Sequence, residues 1–261
     1  MSANFDDLIR FNTSNLVLWL KHFDTLESNK QAALRDISSA KSFLSAIEKY
    51  LIDVTPREKQ LHCSAEIFTV DNFFTDKQCD DLIPMIRLDT EKGGVTYKAN
   101  KDPHFRTSQV HSFYEHTPER QQICDFIGLH PNYGEPMVGQ IYQDGQEFKL
   151  HSDWFTTDSR PQEYNYYARQ QGGQRTWTFQ VYLTNVEEGG ETVFPELKVS
   201  VKPKKGMALI WNNLNLDGTA NTDMLHASLP VVKGEKIIVT QWFRAGIWES
   251  PSIEEPQIEE E

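Results

Sequence analysis

His151 and Asp153 stand two residues apart in YQDGQEFKLHSDWF, just after a run in which apolar and polar residues alternate. Alternate residues of a strand face the same way, so this spacing can present an imidazole and a carboxylate to one ion. A lone pair of this kind is a weak signal that often arises by chance on a solvated strand face. His226, in DMLHASLPVVKGEKIIVTQWFR, adds a third donor directly before another β-rich run. Two imidazoles and one carboxylate hold a non-haem Fe(II) ion from one side and leave positions open on the other. Zinc accepts the same donors, but its hydrolytic sites of that composition are typically built on a helical HExxH, which this sequence lacks. Lys236 follows His226 by ten residues. It reads either as an exposed strand lysine or as an ammonium aimed inward, and the second case requires an anion. A carboxylate-bearing cosubstrate chelating the metal would supply one.

The elements that must position these groups are short strands. From Gly139 onward MVGQIY, TWTFQVYLTNV, ETVFPE, LKVSVKP, MALIWNN and KIIVTQWFRA are rich in β-branched and aromatic residues and bounded by Gly, Pro and Asn turns. That pattern predicts a sandwich or barrel with helices on one side. Upstream, AEIFTV reads as a strand over Glu66 to Val70 and leads into a helix that Thr75 can cap. Residues up to about Val54 carry apolar positions at three and four residue intervals, which predicts two helices parted near Ser28 and Asn29 and closed by Pro56. The expected division is a helical extension over 1–62, which could serve docking or dimerisation, a catalytic domain over 63–248, and an acidic, disordered tail over 249–261. The polar connection from Trp154 to Arg175 is too long for a plain hairpin and suggests a lid or binding loop.

Composition narrows the classes of partner. With 38% hydrophobic residues in a chain of 261, one full core is affordable. A formal net charge of −12 disfavours nucleic acid and anionic membranes. Cys63, Cys79 and Cys124 are scattered, with no CxxC pair, so they read as reduced thiols. The opening MSANFDDLIRF is acidic where a signal peptide would be basic, and there is no apolar run of membrane-spanning length, so the expected compartment is the cytoplasm. His104, His111 and His116 are irregularly spaced and read as surface or substrate-loop residues. Glu187, Glu188 and Glu191 flank Gly189 and Gly190 and read as a solvated turn. Trp211 reads as core.

The order of these pieces resembles the prolyl 4-hydroxylase branch of the Fe(II)/2-oxoglutarate-dependent dioxygenases. The pieces are Tyr142 in YxxGxxFxxHxD, VEEGGETVFP, the distal His226, Lys236 ten residues on, the closing W-F-R, DNFFTDKQCDDLI, and RTS at Arg106 to Ser108. The likeness covers roughly Ile67 to Gly246 and not the N-terminal helices. It implies an α+β, mainly β chain built on a double-stranded β-helix, a jelly-roll, cupin-like barrel with supporting helices. By that likeness His151, Asp153 and His226 bind Fe(II), while Lys236 and Tyr142 take the far carboxylate of 2-oxoglutarate, with Thr178 and Thr240 in the same pocket. Arg175, Trp242 and Arg244 fall where substrate is contacted near the iron. The implied activity couples decarboxylation of 2-oxoglutarate to succinate, using O2, to hydroxylation of a prolyl residue in a peptide or protein, with ascorbate as reductant. The segment from Leu88 to Arg106 resembles a substrate-closing loop, which favours peptides. Two other readings stand beside it: a hydroxylase of a free amino acid or other small molecule, and a noncatalytic binding protein on the same scaffold. A homodimer through the N-terminal helices is a further expectation.

Overall fold

A computed structural model describes residues 58–62, 65–88, 91–92, 104–155, 171–215 and 218–248. The helices expected up to Val54, most of the two long connections and the acidic tail lie outside the described residues. In chain order the strands are β1 (Glu58–His62), β2 (Ala65–Val70), β3 (Glu91–Lys92), β4 (Gln109–Phe113), β5 (Met137–Tyr142), β6 (Phe148–His151) and β7 (Arg175–Tyr182). They continue as β8 (Val186–Gly189), β9 (Thr192–Phe194), β10 (Val199–Val201), β11 (Ala208–Asn212), β12 (His226–Ser228), β13 (Val231–Gly234) and β14 (Lys236–Arg244). Among the described residues two α-helices accompany them, α1 (Asp76–Leu88) and α2 (Pro118–Ile127).

An eight-stranded sheet runs β1-β2-β11-β7-β14-β5-β4-β3, and a four-stranded sheet runs β10-β9-β12-β6. A small ribbon of β13 and β8 completes the set, and every strand pair is antiparallel. The jelly-roll architecture expected from the sequence is present, built as facing sheets rather than as one ring of strands closed by hydrogen bonds. β1 pairs with β2, so the large sheet begins at Glu58, inside the stretch assigned above to the helical extension.

Period-two alternation sorts the large sheet into two faces. On one, Met137, Ile141, Phe179, Val181, Ile237 and Val239 pack with Cys79, Leu82 and Ile86 of α1 and with Ile123, Cys124 and Ile127 of α2 in one core. Gly139 lies on this face, where an added Cβ would come within 2.5 Å of Ile86 Cγ1, so glycine allows α1 to approach the sheet. On the other face Tyr142, Tyr182, Leu209, Trp211 and Ile238 meet Phe148, Phe194 and Val201 of the four-stranded sheet in a second core. The even-numbered positions of β5, β7 and β14 point into this second space, and they carry most of the candidate site.

The helices start where side chains can satisfy their first N–H groups. Thr75 Oγ1 accepts from Gln78 N at 3.2 Å and Gln78 Oε1 accepts from Thr75 N at 3.0 Å, a reciprocal cap for α1. Thr117 accepts from Arg120 N, Pro118 opens α2, and Gly128 closes it at φ 74°.

Candidate active site

His151 ends β6, and His226 opens β12 directly opposite it in the antiparallel register. That cross-strand pairing brings together donors 75 residues apart in the chain, with ring centroids 4.2 Å apart. Asp153 follows β6 by two residues. Its Oδ1 lies 3.9 Å from His151 Nε2 and its Oδ2 lies 3.8 Å from His226 Nε2. The three ligand atoms lie within 4.8 Å of one another, and among the described residues no other His/Cys/Asp/Glu cluster of three or more has this geometry.

The surroundings fit a metal. His151 Nδ1 lies 2.7 Å from the Lys149 carbonyl and His226 Nδ1 lies 3.0 Å from the Met224 carbonyl. Each Nδ1 therefore carries its proton toward a carbonyl, and each Nε2 keeps a lone pair for an ion. Burial, with the neighbouring His226 second, holds the His151 imidazole well below the usual histidine range, so it stays neutral. Burial alone would raise Asp153, but His226, His151, Arg175 and the Thr178 hydroxyl outweigh it and keep the carboxylate ionised. Phe148 stacks on His151 at 3.5 Å and 14°, while Phe194 and Trp211 pack against His226, so both rings are held by aromatic neighbours.

Lys236 lies on the inner face of β14 with no exposure at all. Its Nζ donates to Ser228 Oγ at 2.7 Å and to Thr192 Oγ1 at 3.3 Å, and it sits 5.3 and 5.6 Å from the Tyr142 and Tyr182 ring centres. Among the described residues it has no carboxylate in ion-pair contact. Burial lowers its pKa to about 7, opposed only by the charge of Glu191. An ammonium seated among hydroxyls and aromatic rings is a site for an incoming anion. Tyr142, its cross-strand partner, donates to Gln140 Oε1 at 2.8 Å and bonds with Ser108 and Arg106. Thr240 accepts from Gln140 Nε2 at 3.0 Å on the same face. Thr178 sits at the other end, where its hydroxyl donates to Asp153 Oδ2 at 2.7 Å.

Arg175 and Arg244 converge on one carboxylate, Glu135. Arg175 Nε and Nη2 contact its two oxygens at 2.6 and 2.7 Å, and Arg244 Nε lies 2.6 Å from Oε1. Glu135 is held below the ordinary carboxylate range because the two guanidiniums outweigh its burial. Burial works against Arg175, but its bidentate pair with Glu135 lifts it, whereas burial lowers Arg244 to about 10 despite the Glu135 charge. Arg175 lies 4.2 Å over the Trp242 ring, and both arginines approach Phe155. The three residues expected at the substrate mouth thus form one cluster.

Residues 137–244 match the family model of the 2OG-Fe(II) oxygenase superfamily. A probable prolyl 4-hydroxylase of Arabidopsis thaliana is 31% identical over 226 residues, covering 76% of this chain and 76% of its own length. The chain belongs to the prolyl 4-hydroxylase branch of the Fe(II)/2-oxoglutarate-dependent dioxygenases. Another Arabidopsis thaliana relative, prolyl 4-hydroxylase 5, is 32% identical over 199 residues, 66% of each chain. Among solved structures, the viral collagen prolyl hydroxylase of Paramecium Bursaria Chlorella virus-1, in a 2OG complex, superposes with a TM-score of 0.51 at 28% identity. That match covers 70% of this chain and 98% of the viral one.

For a dioxygenase of this branch, the sequence reading left out two groups. Glu135, in the loop before β5, anchors both mouth arginines, and no spacing rule connects it to positions 175 and 244. Arg106, from the short RTS, is buried, donates to Ser108 Oγ at 3.0 Å and lies 5.0 Å from the Phe148 ring centre. Its charge reaches His151 and Asp153. The RTS stretch at 106–108, already part of the family resemblance, was the signal the sequence offered. Elsewhere, His116 bonds with Gln121 and His111 packs edge-on against Phe113. Gly189 and Gly190 turn the chain at φ 76° and 72°, and no described helix is long and apolar enough to cross a membrane.

Proposed function

We propose that the protein is a peptidyl-prolyl 4-hydroxylase, with His151, Asp153 and His226 holding Fe(II) and Lys236 holding the far carboxylate of 2-oxoglutarate. The observation that carries this is the combination of a buried His-Asp-His cluster with a fully buried ammonium that has no acid partner among the described residues. Ser228, which receives the Lys236 ammonium, is two residues along β12 from His226, about 7 Å by strand rise. A diacid of glutarate length spans that interval, with its keto-acid end toward the three donors.

Bound iron would supply oxidative decarboxylation of the keto acid by O2 and transfer of an oxygen atom to a substrate C–H bond. The chain's own groups bind and orient. The two Nε2 atoms and an ionised Asp153 would hold the ion. Lys236, with Tyr142 and Thr240 near it, neutralises and seats the diacid. Arg175, Trp242 and Arg244, braced by Glu135, offer N–H donors and an aromatic wall to the substrate. Ascorbate is the reductant in this reading, and the cytoplasm its compartment.

The prolyl substrate is taken from the relatives' names, and the family's likeness over the catalytic region supports it. A free amino acid is the second reading, favoured by one observation: Arg175 and Arg244 stand side by side on Glu135, and neighbouring guanidiniums suit a substrate carboxylate. Succinate formation with Fe(II), ascorbate, O2 and 2-oxoglutarate separates the readings. Proline-rich peptides should stimulate it and gain the mass of one oxygen atom. Stimulation by free proline alone would support the second reading, and no succinate under any condition would leave only a binding protein.

A further inference from the structure

Thr178 was expected among the groups around 2-oxoglutarate, and the structure instead puts its hydroxyl on the Asp153 carboxylate, with Asn213 behind it. Asn213 Nδ2 donates to Thr178 Oγ1 at 2.9 Å, and Thr178 Oγ1 donates to Asp153 Oδ2 at 2.7 Å. A hydroxyl has a single proton to give. Because the Asn213 amide occupies an acceptor site on Thr178, that proton goes to Asp153.

Asn213 is fully buried and its backbone is fixed on both sides: its N–H donates to Thr176 O at 2.7 Å and its carbonyl accepts from Asn221 N at 3.0 Å. Its Oδ1 is buried with no hydrogen-bond partner among the described residues. A buried amide oxygen without a partner is costly. Exchanging the amide's O and N would not relieve it, since Oδ1 would then take the Thr178 proton from Asp153 and Nδ2 would be stranded in its place. Thr178 is packed between its cross-strand partners Trp211 and Trp242.

We propose that Thr178 and Asn213 are positioning residues for the metal carboxylate, acting as a one-way relay that occupies Asp153 Oδ2 and leaves Oδ1 for the ion. A carboxylate with Oδ2 engaged in this way would offer a metal ion the other oxygen alone. This rests on the reading of His151, Asp153 and His226 as metal ligands.

The test is Co(II) titration of the full-length protein, without turnover, followed by visible absorption, which reports affinity and coordination number. Thr178→Val keeps the shape and deletes the donor, and is expected to weaken Co(II) binding about 10- to 100-fold and alter the spectrum. Thr178→Ser restores the hydroxyl and is expected to stay within about threefold of wild type. Asn213→Ala alone should give a partial loss, and adding it to Thr178→Val should lose nothing more, since the relay is already cut. Unfolding temperatures accompany each variant. A lowered melting point with unchanged Co(II) affinity and spectrum in Thr178→Val would overturn the relay while leaving the metal site intact. A wild-type protein that binds no Co(II) would instead overturn the metal reading, and the relay with it.

Discussion

Replacing Lys236 by Met keeps its length and apolar stem and removes the charge. Between an ordinary lysine at 10.5 and this one at about 7, at about 1.4 kcal/mol per pH unit, lies roughly 5 kcal/mol of burial penalty. Below about pH 7 both folded and unfolded chains hold the proton, so the penalty is fully present. From about pH 7 to 10.5 the unfolded chain holds more protons than the folded one, so wild-type stability rises with pH and the penalty fades. The hydrogen bonds to Ser228 and Thr192 offset part of it, about 1 kcal/mol each. Lys236→Met is therefore expected to be more stable than wild type by roughly 3 kcal/mol near pH 6, with the advantage gone near pH 10, as read by urea unfolding across pH. With Co(II) present, 2-oxoglutarate at a hundredfold its Kd should stabilise wild type by about 2.7 kcal/mol and leave the variant unmoved. A variant less stable than wild type at every pH, with no pH-dependent difference, would refute the placement of an unpaired buried ammonium.

His226→Ala opens the metal shell and should abolish both substrate hydroxylation and uncoupled succinate formation, measured with and without peptide. Glu135→Ala strands the Arg175 and Arg244 charges, and an uncompensated buried pair costs about 3–5 kcal/mol, to be read as a loss of urea midpoint together with a raised peptide KM. Gly139→Ala forces a Cβ into Ile86 and should destabilise by about 1–3 kcal/mol while leaving KM for 2-oxoglutarate unchanged. Burial pushes the Cys79 thiol up to about 11 and the Cys124 thiol up to about 12. Neither should react with iodoacetamide at neutral pH in the folded protein, and rapid labelling at either, mapped by mass spectrometry, would contradict their burial.

His151, Asp153, His226 and Lys236 were picked out by spacing, HxD on alternating positions, a histidine before a later strand and a lysine ten residues on, and the family resemblance supplied their expected roles. The β-branched and aromatic runs anticipated β5, β11 and β14 to within a residue, while the run for β7 overshot its end at Tyr182 by four. Sequence does not encode locally how far along the inner face a side chain lies. Thr178 and Tyr182 share one face of β7, yet Tyr182 flanks Lys236 and Thr178 flanks Asp153. Glu135 was invisible for a related reason, since its partners come from β7 and β14 and only the packed sheet brings them together. α2 was not anticipated, although Thr117, Pro118 and Gly128 mark both of its ends. β1 went unseen because EKQLH carries no run of β-branched residues and is strand only by pairing with β2.

The most direct test is a crystal structure of the protein grown anaerobically with Mn(II) and 2-oxoglutarate. The account predicts one anomalous peak at bonding distance from His151 Nε2, His226 Nε2 and a single oxygen of Asp153, with the diacid's far carboxylate on Lys236 Nζ. A metal bound without His226, or a diacid whose carboxylate lies away from Lys236, would contradict it.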